Sequence, residues 1–281
     1  MTGQPDDPSD GASGDRPDDR QYHLQVRPGD VAPTVLLPGD PARVEVITEL
    51  WDEASVVASH REFRTATGTV DGTPLSVTST GIGSPSAAIA VEELARVGAR
   101  TLVRVGSCGA IQPELSLGDL VISRGAVRQE GTTAEYVRGD YPAVADDRVV
   151  GALVAAAERL GYDYHVGLTA TTDAFYAGQG RRGFGGYAAP GADTWLDELR
   201  AANVANVEME TSTVLTLASL YGLRAGSVCT VFADRTSGEF AVVGEERAAE
   251  TATLAATLLA SMDEQAEAAG VDRWHPGLGP V

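Results

Sequence analysis

The chain of 281 residues contains no lysine, two cysteines, four histidines and only 6% aromatic residues. Two thiols, Cys108 and Cys229, cannot staple a chain this long, and neither their spacing nor their neighbours suggest a metal cage. Two buried thiols in a reducing cytosol are the expectation. None of the histidines pairs at metal-ligand spacing. No run of about 18 consecutive apolar residues occurs, which excludes a membrane-spanning helix. Basic charge is scarce: 21 arginines face 40 acidic residues, a formal net charge of −19. Such a surface repels phosphodiester backbones and argues against a general nucleic-acid binder. Acid excess, absent lysine and small apolar side chains together look like halophilic adaptation, since high salt screens surface repulsion. An arginine cluster inside so acidic a chain has to serve an anion.

What is present is a 43% apolar chain with 32 glycines, enough to bury one large core. Residues 1–20 are Asp, Pro, Ser and Gly and read as a disordered acidic tail. They lack the basic start and apolar stretch of a secretory signal, so a cytoplasmic location is expected. Residues 21–270 form the domain, and 271–281 read as a loose C-terminal end. Strands are expected at Thr34–Leu37, Leu75–Thr80, Thr101–Val105, Leu120–Val127, Val166–Ala170 and Arg224–Val231. Helices are expected at Ser86–Val97, Asp147–Leu160, Glu210–Tyr221 and Glu245–Ala269, with Gly98, Gly161 and Gly222 at C-terminal stops. The alternation predicts a single three-layer α/β/α domain around a twisted, largely parallel mixed sheet, with ligands at the carboxyl ends of its strands. Six glycines between Gly178 and Gly191 predict a surface loop that could act as a lid.

The strand ends carry the chemistry. Thr34–Leu37 runs into Pro38-Gly39-Asp40-Pro41-Ala42-Arg43, where Gly39 lets the backbone approach a ligand and Arg43 adds a forked cation. A plain turn before a helix explains the same residues. Arg104 lies inside a strand, which is costly unless an anion faces it. That anion is either a protein carboxylate or an oxyanion ligand. Gly81-Ile82-Gly83-Ser84-Pro85-Ser86 imitates a dinucleotide fingerprint, but Ser86 replaces its third glycine and no strand-end acid follows. Gly106-Ser107-Cys108-Gly109 is not a hydrolase elbow, because its serine is not flanked as G-x-S-x-G.

Seven segments, in order, resemble the nucleoside phosphorylase family, most closely its uridine phosphorylase branch. They are LPGDPARV (37–44), SHREF (59–63), STGIGSPS (79–86), VRVGSCGAIQP (103–113), FYAGQGR (175–181), VEMET (207–211) and DRT (234–236). The resemblance implies reversible phosphorolysis of a nucleoside to free base and ribose 1-phosphate, with inorganic phosphate as co-substrate and no cofactor. It implies that Gly39, Arg43, Arg104 and Ser107 hold phosphate, with Arg61 reaching in from a neighbouring subunit. Glu210 and Met209 would hold the ribose, supported by Glu208, and His23 would cross the dimer to the 5′-hydroxyl. Phe175, Gln179, Arg181 and Phe232 would surround the base; Arg104, Glu210, Gln179 and Arg181 would carry catalysis. Glu62, the Ile82 carbonyl and Ser86 match a potassium site. A homo-oligomer of dimers, a hexamer in the family, is implied.

Departures from the family pattern crowd around the base: Val207, Ala177, Gly180, Asp234, Phe232 and the glycine-rich stretch after Arg182. Gln179 and Arg181 could also read guanine or hypoxanthine, so a purine nucleoside phosphorylase acting on guanosine or inosine is the rival. A nucleosidase has no need of three arginines on an anion. A non-catalytic binding protein has no use for Glu210 beside Arg104.

Overall fold

Residues 20–280 are described by a computed structural model, so the segment expected to be a disordered tail lies outside the described residues, save Arg20. The elements in chain order are β1 (Thr34–Pro38), α1 (Arg43–Thr48), β2 (Glu53–His60), β3 (Phe63–Val70), β4 (Thr73–Thr78), α2 (Ser84–Arg96) and β5 (Thr101–Ala110). There follow β6 (Leu120–Gln129), α3 (Thr132–Tyr136), β7 (Ala143–Val144), α4 (Asp147–Leu160), β8 (Tyr164–Thr172) and α5 (Ala192–Ala201). The chain then makes β9 (Val204–Glu208), α6 (Thr211–Leu220), β10 (Arg224–Asp234) and α7 (Glu245–Ala269).

Three layers follow from how the strands alternate their side chains. In β1, Leu36 enters a core with Val44 and Ile47 of α1, Leu153 of α4 and Leu259 of α7. Its neighbours Val35 and Leu37 enter a second core with Leu94 of α2 and Leu217 of α6. A strand covered on both faces has to be apolar throughout, which is why TVLL shows no polar alternation. Helix ends follow local chemistry too: the Asp146 side chain accepts from the N–H groups of Arg148 and Val149, and α4 stops at Gly161 with φ 72°.

The sheet is mixed. β4, β1, β5 and β10 run parallel, as do β6, β8 and β9. β2 and β3 extend the β4 edge as antiparallel strands. β10 also pairs antiparallel with β6, and β9 returns antiparallel to the end of β5, so β5–β10–β6–β8–β9 close into a ring. The expected strand Thr101–Val105 therefore continues through Gly106-Ser107-Cys108-Gly109 to Ala110. β10 and β9 satisfy a backbone that its glycines alone would mark as a turn. Gly106 is required there, because a Cβ would lie 2.7 Å from Arg104 Nη2 and 2.8 Å from Cys229 Sγ.

Both ends of the described chain are tied to the domain, the first within the expected bounds and the second beyond them. The buried Glu93 of α2 accepts from the backbone N–H groups of His23 and Leu24, pinning the start of the described chain to the domain. Residues after α7, expected as a loose end, fold back: Trp274 packs beside the first core and its indole N–H donates to Gln265 at 2.8 Å. Among the described residues, no helix is long and apolar enough to cross a membrane.

Candidate active site at the strand ends

A cleft of about 1050 Å³ opens over the ends of β1, β5, β9 and β10. Its floor is Arg104, whose place inside β5 buries it almost completely. Nε donates to Glu208 Oε2 at 2.7 Å and Nη2 meets Glu210 Oε2 at 2.5 Å. Of the two anions left open by the sequence, protein carboxylates therefore face this cation. Burial penalises the Arg104 cation, but the pull of Glu210 and Glu208 outweighs it and holds its pKa above the ordinary value. Burial pushes the Glu210 carboxyl upward, against the opposing attraction of Arg104.

The two acids are held by backbone as well as by charge. Glu208 Oε2 accepts from the N–H groups of Glu210 and Thr211 at 2.8 and 2.9 Å, where α6 begins. A carboxylate there completes the open N–H groups of a helix start. Its other oxygen accepts from the Thr171 hydroxyl at 2.6 Å. Glu210 accepts from the Gly83 N–H at the start of α2, and Ser84 donates to the Met209 carbonyl at 3.1 Å.

Around this floor the cleft gathers Gly39, Arg43, Ser107, Met209 and Phe232. Arg43 Nε donates to Glu245 Oε1 at 3.0 Å, and its guanidinium carbon lies 5.5 Å from the Phe232 ring centroid. Gly39 is confined by the Gly81 carbonyl, 3.3 Å from where a Cβ would stand. The opposite end belongs to the glycine-rich loop. Gln179 is buried and donates to Thr172 Oγ1 at 3.2 Å. Arg181 donates to Gln179 Oε1 and to the Phe175 carbonyl, stacking 4.0 Å from the Phe175 ring centroid. Burial and the neighbouring Arg235 lower the Arg181 pKa to about 10, which still leaves it cationic at neutral pH.

Glu62 and Ile82 line the cleft, whereas Ser86 sits behind it, its hydroxyl 3.0 Å from Glu62 Oε1 and 2.5 Å from the Thr80 carbonyl. His23 and Arg61 stand outside the cleft of their own chain. The His23 ring contacts Glu93 at 2.7 Å, and Arg61 is exposed with φ 55°. Only two of the three arginines expected on an anion are thus brought together within one chain. Sequence reasoning passed over Thr171, Thr172, Arg235, Phe240, Val242 and Glu245. Arg235 stood in the DRT motif unassigned, and its Nη2 donates to the Gln179 carbonyl at 2.8 Å. Cys108 and Cys229 are buried, and burial raises both thiols, Cys229 to about 11, so neither is a nucleophile here.

Guanidiniums and a tight glycine turn at one end, acceptor carboxylates in the middle and an amide–guanidinium pair at the other end make a cleft suited to small polar molecules. Such a cleft at the strand ends of a three-layer α/β fold belongs to an enzyme of small metabolites. The phosphorylase superfamily matches residues 33–265, and this chain belongs to that family. A uridine phosphorylase of Thermococcus kodakarensis is 58% identical over 258 residues, 92% of this chain and 93% of that protein. A uridine phosphorylase of Escherichia coli is 44% identical over 221 residues, covering 78% and 87% of the two chains. A guanosine phosphorylase of Halorubrum lacusprofundi is 43% identical over 219 residues, covering 78% and 86%.

Proposed function

We propose that this chain is a pentosyltransferase catalysing the reversible phosphorolysis of uridine to uracil and ribose 1-phosphate. The observation that carries the reading is one cleft holding Arg43, Arg104 and Ser107 at one end, Glu210 in the middle and Gln179 with Arg181 at the other. The 58% identical relative named as a uridine phosphorylase supports it. Inorganic phosphate sits against Gly39, Arg43, Arg104 and Ser107, with Arg61 supplied by a neighbouring copy. Its oxygen is thereby aimed at the anomeric carbon, and positioning replaces much of the entropic cost of the encounter. Glu210, supported by Glu208 and Met209, accepts from the ribose hydroxyls, and His23 of a neighbouring copy reaches the 5′-hydroxyl. As the glycosidic bond breaks, negative charge moves onto uracil. Gln179 and Arg181 donate to it, with Phe175 and Phe232 against the ring.

The rival base is a purine, as in the Halorubrum relative. Protonating a purine ring nitrogen calls for an acid in the cleft, and Asp234 does not supply one. Although desolvation opposes it, acceptance from Ser237 and Thr236 lowers its pKa to about 2, and it does not line the cleft. Together with the 58% identical uridine phosphorylase, the position of Asp234 favours uridine over guanosine and inosine.

No organic cofactor enters this reading. Glu62, Ser86 and the Ile82 carbonyl offer hard oxygen donors that suit potassium, which would stiffen the loop before α2. Shared use of Arg61 and His23 calls for a homo-oligomer built from dimers, up to a hexamer, in a cytoplasm of high salt. A panel of uridine, thymidine, guanosine, inosine and adenosine assayed in phosphate buffer tests the base assignment. Uridine is expected to show the highest kcat/KM; a higher value for guanosine or inosine would move the assignment to the purine branch.

A further inference from the structure

We infer that Glu245, the first residue of α7, is a built-in competitor for the co-substrate: it occupies Arg43 until phosphate displaces it, and so sets the affinity for phosphate. The inference rests on the phosphorolytic reading and goes beyond it to a residue that no motif contains.

The starting point is charge. Arg104 is held by both Glu208 and Glu210, a trio of formal charge −1. Arg43 is held by Glu245, a pair of formal charge zero. Within one chain the phosphate end of the cleft therefore presents no net positive charge to a dianion. Glu208 cannot be the group that yields, because it is buried and also accepts from the start of α6 and from Thr171. Glu210 is likewise buried between Arg104 and the Gly83 N–H.

Glu245 differs on each count. Its side chain is 45% exposed, against 16% for Arg43, and its single hydrogen bond among the described residues is the one from Arg43 Nε. Nη1 and Nη2 of Arg43 make no hydrogen bond among those residues, so two of the three guanidinium nitrogens are open while the carboxylate holds the third. Position in the first turn of α7 gives the displaced carboxylate a favourable place to go, since a helix start welcomes negative charge. The Phe232 ring, 5.5 Å from the Arg43 guanidinium carbon, gives Arg43 a support that does not depend on Glu245. A dianion with several acceptor oxygens can engage the whole fork and replace a one-point contact from a monoanion. If the two anions stayed side by side they would repel, which is the cost that phosphate binding bears in the native chain.

The test compares Glu245→Gln and Glu245→Ala with Glu246→Gln, which removes the same charge one residue further along the exposed start of α7. Glu245 is exposed, so neither of its substitutions opens a cavity. Both are expected to lower KM for phosphate by about two- to five-fold, the scale of one partly exposed ion pair. KM for uridine should hardly move, and Glu246→Gln should leave both constants as they were. Phosphate titrated calorimetrically into nucleoside-free protein should show the same tightening, whatever reaction the enzyme performs. An unchanged or weaker phosphate affinity in the Glu245 variants overturns the inference, as does an equal gain in Glu246→Gln, which would make the effect one of general field. Uridine cleavage by the native chain that ignores phosphate would instead overturn the functional reading, and the calorimetric comparison still judges Glu245.

Discussion

The two ends of the cleft are built differently. At the floor, the side chains of Arg104, Glu208 and Glu210 are at most 6% exposed, and each carboxylate also accepts from a helix start. At the mouth, Phe175 is 49% exposed and Phe184, on the same loop, is completely exposed. Gln179 and Arg181 satisfy one another there, with Thr172 and the Phe175 carbonyl as their further partners. A fully partnered buried network has one arrangement, whereas a loop end with self-satisfied polar groups can exchange partners at small cost. On the proposed function, phosphorolysis would use the rigid floor and the choice of base the adjustable mouth. Two of the differences from the family pattern, Ala177 and Gly180, lie on the short loop that carries Gln179 at that second end.

The sharpest way to break this comparison is at the floor. Arg104→Met leaves Glu208 and Glu210 buried without their cation, and should cost about 3–5 kcal/mol of stability by denaturant unfolding. A cost below about 1 kcal/mol would mean the network is not the rigid element claimed. At the mouth, Gln179→Ala should lower kcat/KM for uridine by roughly 10- to 100-fold, the scale of one lost donor to developing charge. Because Gln179 is buried and hydrogen-bonded, some stability is lost as well, but less than for Arg104→Met; an equal loss would erase the contrast between the ends. The smallest effect is expected from Phe184→Ser. A fully exposed side chain contributes within about 0.5 kcal/mol to folding, so unfolding curves should nearly overlay.

How much of this was readable from the chain depends on how local each signal was. β1 is a continuous apolar or β-branched run, β6 and β10 contain such runs (Leu120–Ile122 and Val228–Ala233), and α4 carries a side-chain cap and a glycine stop. β2 and β3 escaped notice because their Ala, Thr, Ser and Gly residues lack strong apolar alternation and are ordered by pairing with β4. β9 is five residues long and takes its conformation from β8 and β5. β5 runs past its expected end at Val105 to Ala110, where Gly106 leaves room for Arg104 and Cys229 and Gly109 for Arg235 and Val207.

Arg43, Arg104, Glu210 and Gln179 stood out because each lies in a short motif at a strand end. Their partners did not. Glu245 is 202 residues from Arg43 along the chain, and Thr171 reaches Glu208 from a different strand. Nothing in the neighbourhood of either residue announces the contact. Glu208 and Glu210 were visible in the VEMET motif, with Glu210 expected beside Arg104; that Glu208 also pairs with Arg104 came with the ring of strands that brings β9 beside β5.

The most direct measurement follows uridine cleavage in phosphate-free buffer and through a phosphate titration, with ³¹P NMR identifying the sugar product. Uracil release should rise saturably with phosphate and match ribose 1-phosphate mole for mole. Release of uracil at full rate without phosphate, with free ribose as the product, would contradict an anion held at Arg43 and Arg104 as the attacking group.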